Sequence, residues 1–214
     1  MQREWGLALV SLLVWGLVLL SSPGVVQAGE PQELVRDTVN AVLAVLQDKS
    51  LQGPEHAAQR HEKMRQAVLQ RFGFDEMAQR ALGPHWGKRS PAEKQEFTKL
   101  FGTLLERSYV NKIESYTGEQ AVSYAKETID KDGFASVLTE VASKRGEASV
   151  SVEYRLLRRD GRWQVYDVII EGVSLVNNYR TQFNNIVSKE SYEALVKKLQ
   201  LKLEQERAGS SSKG

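Results

Sequence analysis

Few side chains in this 214-residue sequence have the type and spacing for chemistry. The histidines are His56, His61 and His85. His56 and His61 stand five apart, so on a helix they do not share a face as a zinc-binding pair four apart would. They read as surface or partly packed groups, and no metal is expected. Cysteine is absent, which excludes a disulfide framework, a thiol nucleophile and a thiolate metal site. Gly172-Val173-Ser174 begins like a nucleophile elbow, but Val176 stands where the second glycine belongs. Ser123 and Lys126 have Ser-x-x-Lys spacing, yet in a strand they point to opposite faces. No glycine-rich phosphate loop is present. Asp167 remains. A carboxylate inside an apolar strand can serve as a general base in a cavity enzyme, given a hydroxyl such as Tyr154 or Tyr166 beside it. Pairing with a nearby Arg or Lys, or exposure to solvent, is the reading we favour. No catalytic residue and no cofactor are expected.

The elements around these groups centre on residues 163–183. Residues 163–173 are rich in β-branched and aromatic types and read as a strand. Either Trp163, Val165 and Asp167 face inward, or Tyr166, Val168 and Ile170 do, and we take the second set because it lacks a charge. Gly172 can break the strand. Ser174 then caps a helix through its side-chain oxygen. Leu175, Tyr179, Phe183 and Ile186 line one face of that helix.

Upstream, apolar periodicity predicts helices over 31–49 and 55–72. A short third helix is capped by Asp75 and ends at Gly83. A loop over 84–89 follows, carrying Trp86. Ser90-Pro91-Ala92-Glu93 is a capping box opening a long helix that Gly118 stops. The period then changes to alternation, giving strands over 121–129, 134–143 and 148–157. Asp160-Gly161 marks a hairpin. A last helix spans 191–207, with Tyr192, Leu195, Leu199 and Leu203 inward, and 208–214 is expected to be a disordered tail. Helices first and a sheet second make an α+β layout.

The chain has a formal net charge of +2, which argues against a nucleic-acid binder. Arg3, an apolar run over 7–20 and Val26-Gln27-Ala28 form a signal-peptide pattern, so residues 1–28 are expected to be cleaved. Residues 29–207 are then one exported domain.

Gly172-Val173-Ser174-Leu175-Val176, Asn178-Tyr179-Arg180 and Gln182-Phe183 resemble the signature of the MlaC family of periplasmic phospholipid-binding proteins. Phe74-Asp75-Glu76-Met77-Ala78, Ala81-Leu82-Gly83 and Trp86 are similar to a second stretch of that family. Phe97, Phe101, Leu104-Leu105-Glu106-Arg107 and Tyr109-Val110 are similar to a third. The ordered set covers residues 30 to 200. The resemblance implies a phospholipid carrier between an outer-membrane lipoprotein complex and an inner-membrane ABC transporter, maintaining outer-membrane lipid asymmetry. It implies N-terminal helices on a curved antiparallel sheet that enclose an apolar cavity, a layout similar to nuclear-transport-factor-like folds. The apolar positions alone predict a close-packed core; only the resemblance implies that part of it is hollow.

On that reading, Phe97, Phe101, Leu104, Tyr179 and Phe183 line an acyl cavity from the helices. Val150, Val152, Tyr154, Val168, Ile170 and Val173 line it from the sheet. Arg180, Arg107, Lys88 and Arg89 are head-group or docking candidates, with Arg180 either on a phosphate or paired with a carboxylate such as Glu171.

Overall fold

A computed structural model describes the backbone of residues 29–114, 116, 121–142 and 149–211. The predicted leader, the stop at Gly118 and residues 212–214 lie outside the described residues. Helix α1 (Glu30–Gln47) leads through two 3-10 turns to α2 (Ala57–Leu69) and α3 (Phe74–Leu82). Gly73, without a side-chain cap, opens α3, so Asp75 is not its cap. It lies in the first turn, where its charge suits the helix dipole. The stretch expected as a loop is a 3-10 helix, Gly83–Lys88.

Helix α4 (Pro91–Glu114) opens on the capping box. The Ser90 amide donates to Glu93 Oε2 at 2.7 Å, and the Glu93 amide donates back to Ser90 Oγ at 3.3 Å.

Strands β1 (Ala121–Ile129), β2 (Phe134–Ala142), β3 (Val150–Arg159), β4 (Arg162–Ile170) and β5 (Val173–Ser174) form one antiparallel sheet in sequence order. Helices α5 (Leu175–Lys189) and α6 (Tyr192–Ser211) close the chain. Helix α6 therefore includes residues 208–211 of the expected tail. Among the described residues no helix is long and apolar enough to cross a membrane.

Both hairpins at β4 turn on paired left-handed residues. Asp160 and Gly161 have φ of 51° and 76°, and Glu171 and Gly172 have 49° and 77°. Positive φ at both central positions matches the right-handed twist of the strands. The run 163–173 is thus not one strand. It turns back at Glu171-Gly172, and β5 delivers the chain into α5.

Strand β4 also carries a bulge. Its register on β3 slips between the Arg155–Asp167 and Leu156–Val165 pairs, leaving Tyr166 without an opposite residue. Trp163 and Val165 before the slip therefore share one core with Val168 and Ile170 after it. Neither face expected from simple alternation is formed.

The apolar core is divided. One cluster joins Met77, Leu82, Phe97, Phe101, Phe183 and Leu195 across α3–α6. The other joins Val35 of α1 to Val137, Leu156, Trp163, Val165 and Val168 on the inner face of the sheet. Half-buried Phe72 packs against both. It sits at a short parallel bridge, where the Gly73 amide donates to the Val165 carbonyl at 2.9 Å and the Val165 amide to the Arg71 carbonyl at 2.9 Å. The helical bundle meets the sheet along β4 through α3 and α5, whereas the main partners of α4 are α3 and α6.

Candidate functional site

The divided core sorts the expected cavity lining into two sets. Phe97, Phe101, Leu104, Tyr179 and Phe183 pack on one another inside the bundle. Phe97 stacks on Phe101 at 6.0 Å, and Phe183 meets both edge-on at 5.6 Å. Tyr179 meets Phe101 edge-on at 5.3 Å. Each ring there is covered by another ring. Val152, Tyr154, Val168 and Ile170 belong to the sheet cluster instead. Val150 is half-buried at the start of β3. Val173 is 56% exposed, because the two-residue β5 is an edge with nothing over it.

Partly buried apolar residues flank the sheet cluster: Val152, Tyr154, Ile170 and Leu175 pack against it, as do Leu34, Val39 and Tyr124. Tyr154 is half-buried, and burial raises its phenol above the usual range, with the Tyr124 and Tyr116 phenols adding to the rise. The Tyr124 phenol is also raised, first by burial, while Arg36 opposes the rise with its guanidinium 4.8 Å from the ring centre. No hydrogen-bond partner of acceptable geometry reaches the buried Tyr124 hydroxyl.

A hollow of about 260 Å³ is lined by Leu46, Gln52, Gly53, Pro54, Arg60, Glu114 and Tyr116. Its rim is polar. Arg60 Nε donates to Glu114 Oε1 at 2.6 Å, and Arg60 Nη1 donates to the Leu51 carbonyl at 2.7 Å. His61 Nε2 stands 3.0 Å from the same Glu114 oxygen. Burial works to raise the Glu114 carboxyl, but His61 and Arg60 outweigh it and hold it below its ordinary value. These contacts tie α2 to the end of α4. A second hollow of about 250 Å³ lies on the outer face of the sheet, over Ile129, Phe134 and Tyr166.

Asp167 is buried, and its partners are neither Arg, Lys nor solvent. Its Oδ1 accepts from the Val168 amide at 2.9 Å and the Val176 amide at 3.1 Å. Its Oδ2 accepts from Ser174 Oγ at 2.6 Å, and Ser174 Oγ accepts from the Asn177 amide at 3.0 Å. A carboxylate at a helix N-terminus is favoured by the dipole and by unpaired amides. Asp167 thus fixes where α5 starts. Tyr154 lies on the other face of the sheet, and Tyr166 lies under Arg80 at 4.1 Å.

The four basic candidates do not converge. Arg107 donates to the Leu203 carbonyl and joins α4 to α6. Arg89 pairs with Glu93 at 3.1 Å and lies 4.4 Å from the centre of the Tyr192 ring. Lys88 and Arg180 are exposed. Arg180 passes close to Gly83, whose φ is +57°, while Glu171 accepts instead from the Ser151 amide. Sequence reasoning passed over Arg60, Glu114, Tyr116 and Tyr124. Nothing in their spacing marks them, because the site joins segments more than 50 residues apart.

The model of the family described as "MlaC protein" matches residues 36–201. The intermembrane phospholipid transport system binding protein MlaC of Haemophilus influenzae is 22% identical over 139 residues, covering 64% of this chain and 65% of that protein. The toluene tolerance protein ttg2D of Pseudomonas putida is 23% identical over 185 residues, 85% of each. The solved phospholipid-binding protein of Ralstonia solanacearum, in complex with a phospholipid, superposes with a TM-score of 0.75 at 27% identity. That match covers 84% of this chain and 99% of the other. A family match over most of the chain, with the fold of a phospholipid-bound relative, places this chain in the MlaC family.

Proposed function

We propose that the chain is a periplasmic phospholipid carrier that holds acyl tails between the sheet and the helices and leaves the head group at the polar rim. The observation that carries this reading is the fold shared with a phospholipid-bound relative over 84% of this chain, with an apolar interior divided into two cores. Phospholipid is bound by the Ralstonia relative of the same fold. In this reading the carrier moves lipid between an outer-membrane lipoprotein complex and an inner-membrane ABC transporter and so maintains outer-membrane lipid asymmetry. No covalent step is required, and Asp167 has its oxygens engaged at α5.

The energetics suit transfer by docking. Burial contributes about 0.8 kcal/mol per CH₂, so two tails of about sixteen carbons approach ~25 kcal/mol against water. Escape into water is then negligible. Against a membrane, or a partner's apolar path, both environments are apolar and most of that free energy cancels. Lipid leaves only where the rim is docked.

Pockets for drug-sized ligands run from roughly 300 Å³ upward. The described hollow, about 260 Å³, lies below that, and on this reading the walls part when lipid loads. Native mass spectrometry of the exported protein, purified without detergent and followed by lipid analysis of the extract, tests the proposal. Stoichiometric phospholipid is expected. An apo mass that persists after incubation with phospholipid vesicles overturns it.

A further inference from the structure

We infer that proteolysis between Ala28 and Gly29 creates a structural ion pair, the new Gly29 α-ammonium seating on the Glu127 carboxylate and pinning α1 to β1. The sequence pattern ends the leader at Ala28, and α1 begins at Glu30. The residue between them is already held. The Gly29 nitrogen lies 2.9 Å from Glu127 Oε2, and the Gln32 amide donates to Glu127 Oε1 at 2.9 Å. One carboxylate from β1 thus spans the opening turn of α1, 98 residues away in sequence.

The neighbouring acid does not compete. Glu30 Oε2 accepts from Trp163 Nε1 at 3.1 Å and stands 3.9 Å from Arg158. A Cβ at residue 29 would meet the Glu127 carboxylate oxygens at 2.6 and 2.8 Å, so the carboxylate has to shift to admit a side chain there.

Hydrolysis by a leader-removing peptidase changes the charge of this contact. Water adds its hydroxyl to the Ala28 carbonyl and a hydrogen to the Gly29 nitrogen. The Ala28 acid then loses a proton and the amine gains one. A neutral amide donor becomes an ammonium, and a hydrogen bond charged on one side becomes charged on both. Processing thereby tightens α1, whose Leu34, Val35 and Val39 pack into the sheet cluster.

The inference shares the leader reading with the proposed function but not lipid binding. The test is run on full-length chain exported from a Gram-negative host. Its intact mass is expected to begin at Gly29, and any other N-terminus overturns the inference. Carbodiimide coupling at zero length is expected to remove one water and join Gly29 to Glu127 in the peptide map. The Tm loss of Glu127→Gln is expected to be roughly 1–3 °C larger in the processed protein than in a form retaining Ala28. Gly29→Ala is expected to reproduce that loss. No cross-link, with equal Tm losses in both forms, overturns the pair whether or not lipid co-purifies.

Discussion

Asp167 and Tyr154 separate structure from function at the level of single atoms. Asp167 is the buried anchor of α5, so Asp167→Asn removes a charged acceptor that the Ser174 hydroxyl and two amides share. Hydrogen bonds to charged groups are worth roughly 1.5–3 kcal/mol each, and an amide oxygen replaces part of that. We expect Asp167→Asn to lose about 2 kcal/mol in urea unfolding. Ser174→Ala should lose about 1 kcal/mol as a lost cap. The double variant should lose less than the sum, because Ser174 Oγ links the two. Lipid content should stay unchanged in all three; a loss confined to lipid would return Asp167 to the site. Tyr154 makes the opposite prediction. Tyr154→Trp adds bulk to a half-buried side chain proposed to line the acyl site, so co-purifying phospholipid should fall while Tm moves little. Phe101→Ala, in the closed ring cluster, should cost about 3–5 kcal/mol without a specific effect on lipid. Matching effects from the two variants would merge the two cores into one.

Among helices α1–α6, α2 has the fewest buried residues of those described. Met64 is its one fully buried residue among those described, and its link to α4 runs through Arg60, His61 and Glu114. The Glu114 carboxyl titrates below its ordinary value in the fold. Its contribution is therefore present above the unfolded value near 4.5 and is lost as pH falls through the lower folded value. Glu114→Gln should flatten that part of the acid-stability curve and speed amide hydrogen exchange in α2 at neutral pH. Unchanged exchange in α2 would show that the link holds nothing. Much of this layout was legible in the sequence, because it is written locally. The Ser90–Glu93 box, the Asp160-Gly161 turn and the Ser174 cap each depend on residues within a few positions. The bulge at Tyr166 was not, since period-two alternation assumes an unbroken ladder and the slip is set by pairing with β3. The lining was half legible for the same reason. Periodicity marks Phe97 and Val152 alike as inward, but only the packed molecule decides whether inward means against a ring or against a space.

At the scale of the whole molecule, two cores joined mainly along β4 predict an uneven response to ligand. The α3–α6 cluster is closed by its own aromatic contacts, so we expect it to gain little from lipid. The sheet cluster is closed on one side by α1, and the tails are proposed to lie against its half-buried residues Val152, Tyr154 and Ile170. A ligand that binds only the folded state stabilises it by RT ln(1 + [L]/Kd), about 4 kcal/mol at a thousandfold excess over Kd. That gain falls where the contacts are made. Delipidation should therefore lower the Tm and speed hydrogen exchange in α1, α2 and the inner-facing positions of β3 and β4. Protection in α4, α5 and α6 should persist until global unfolding. The relevant measurement is exchange mass spectrometry on paired lipid-bound and delipidated samples, read peptide by peptide. A uniform loss of protection would mean that the two clusters unfold as one unit and that the wall against lipid is the whole fold. A loss confined to α1, α2 and the sheet would identify the α1–α2 hairpin as the part that moves aside. It would also explain how a hollow of about 260 Å³ admits a diacyl lipid without disturbing the bundle.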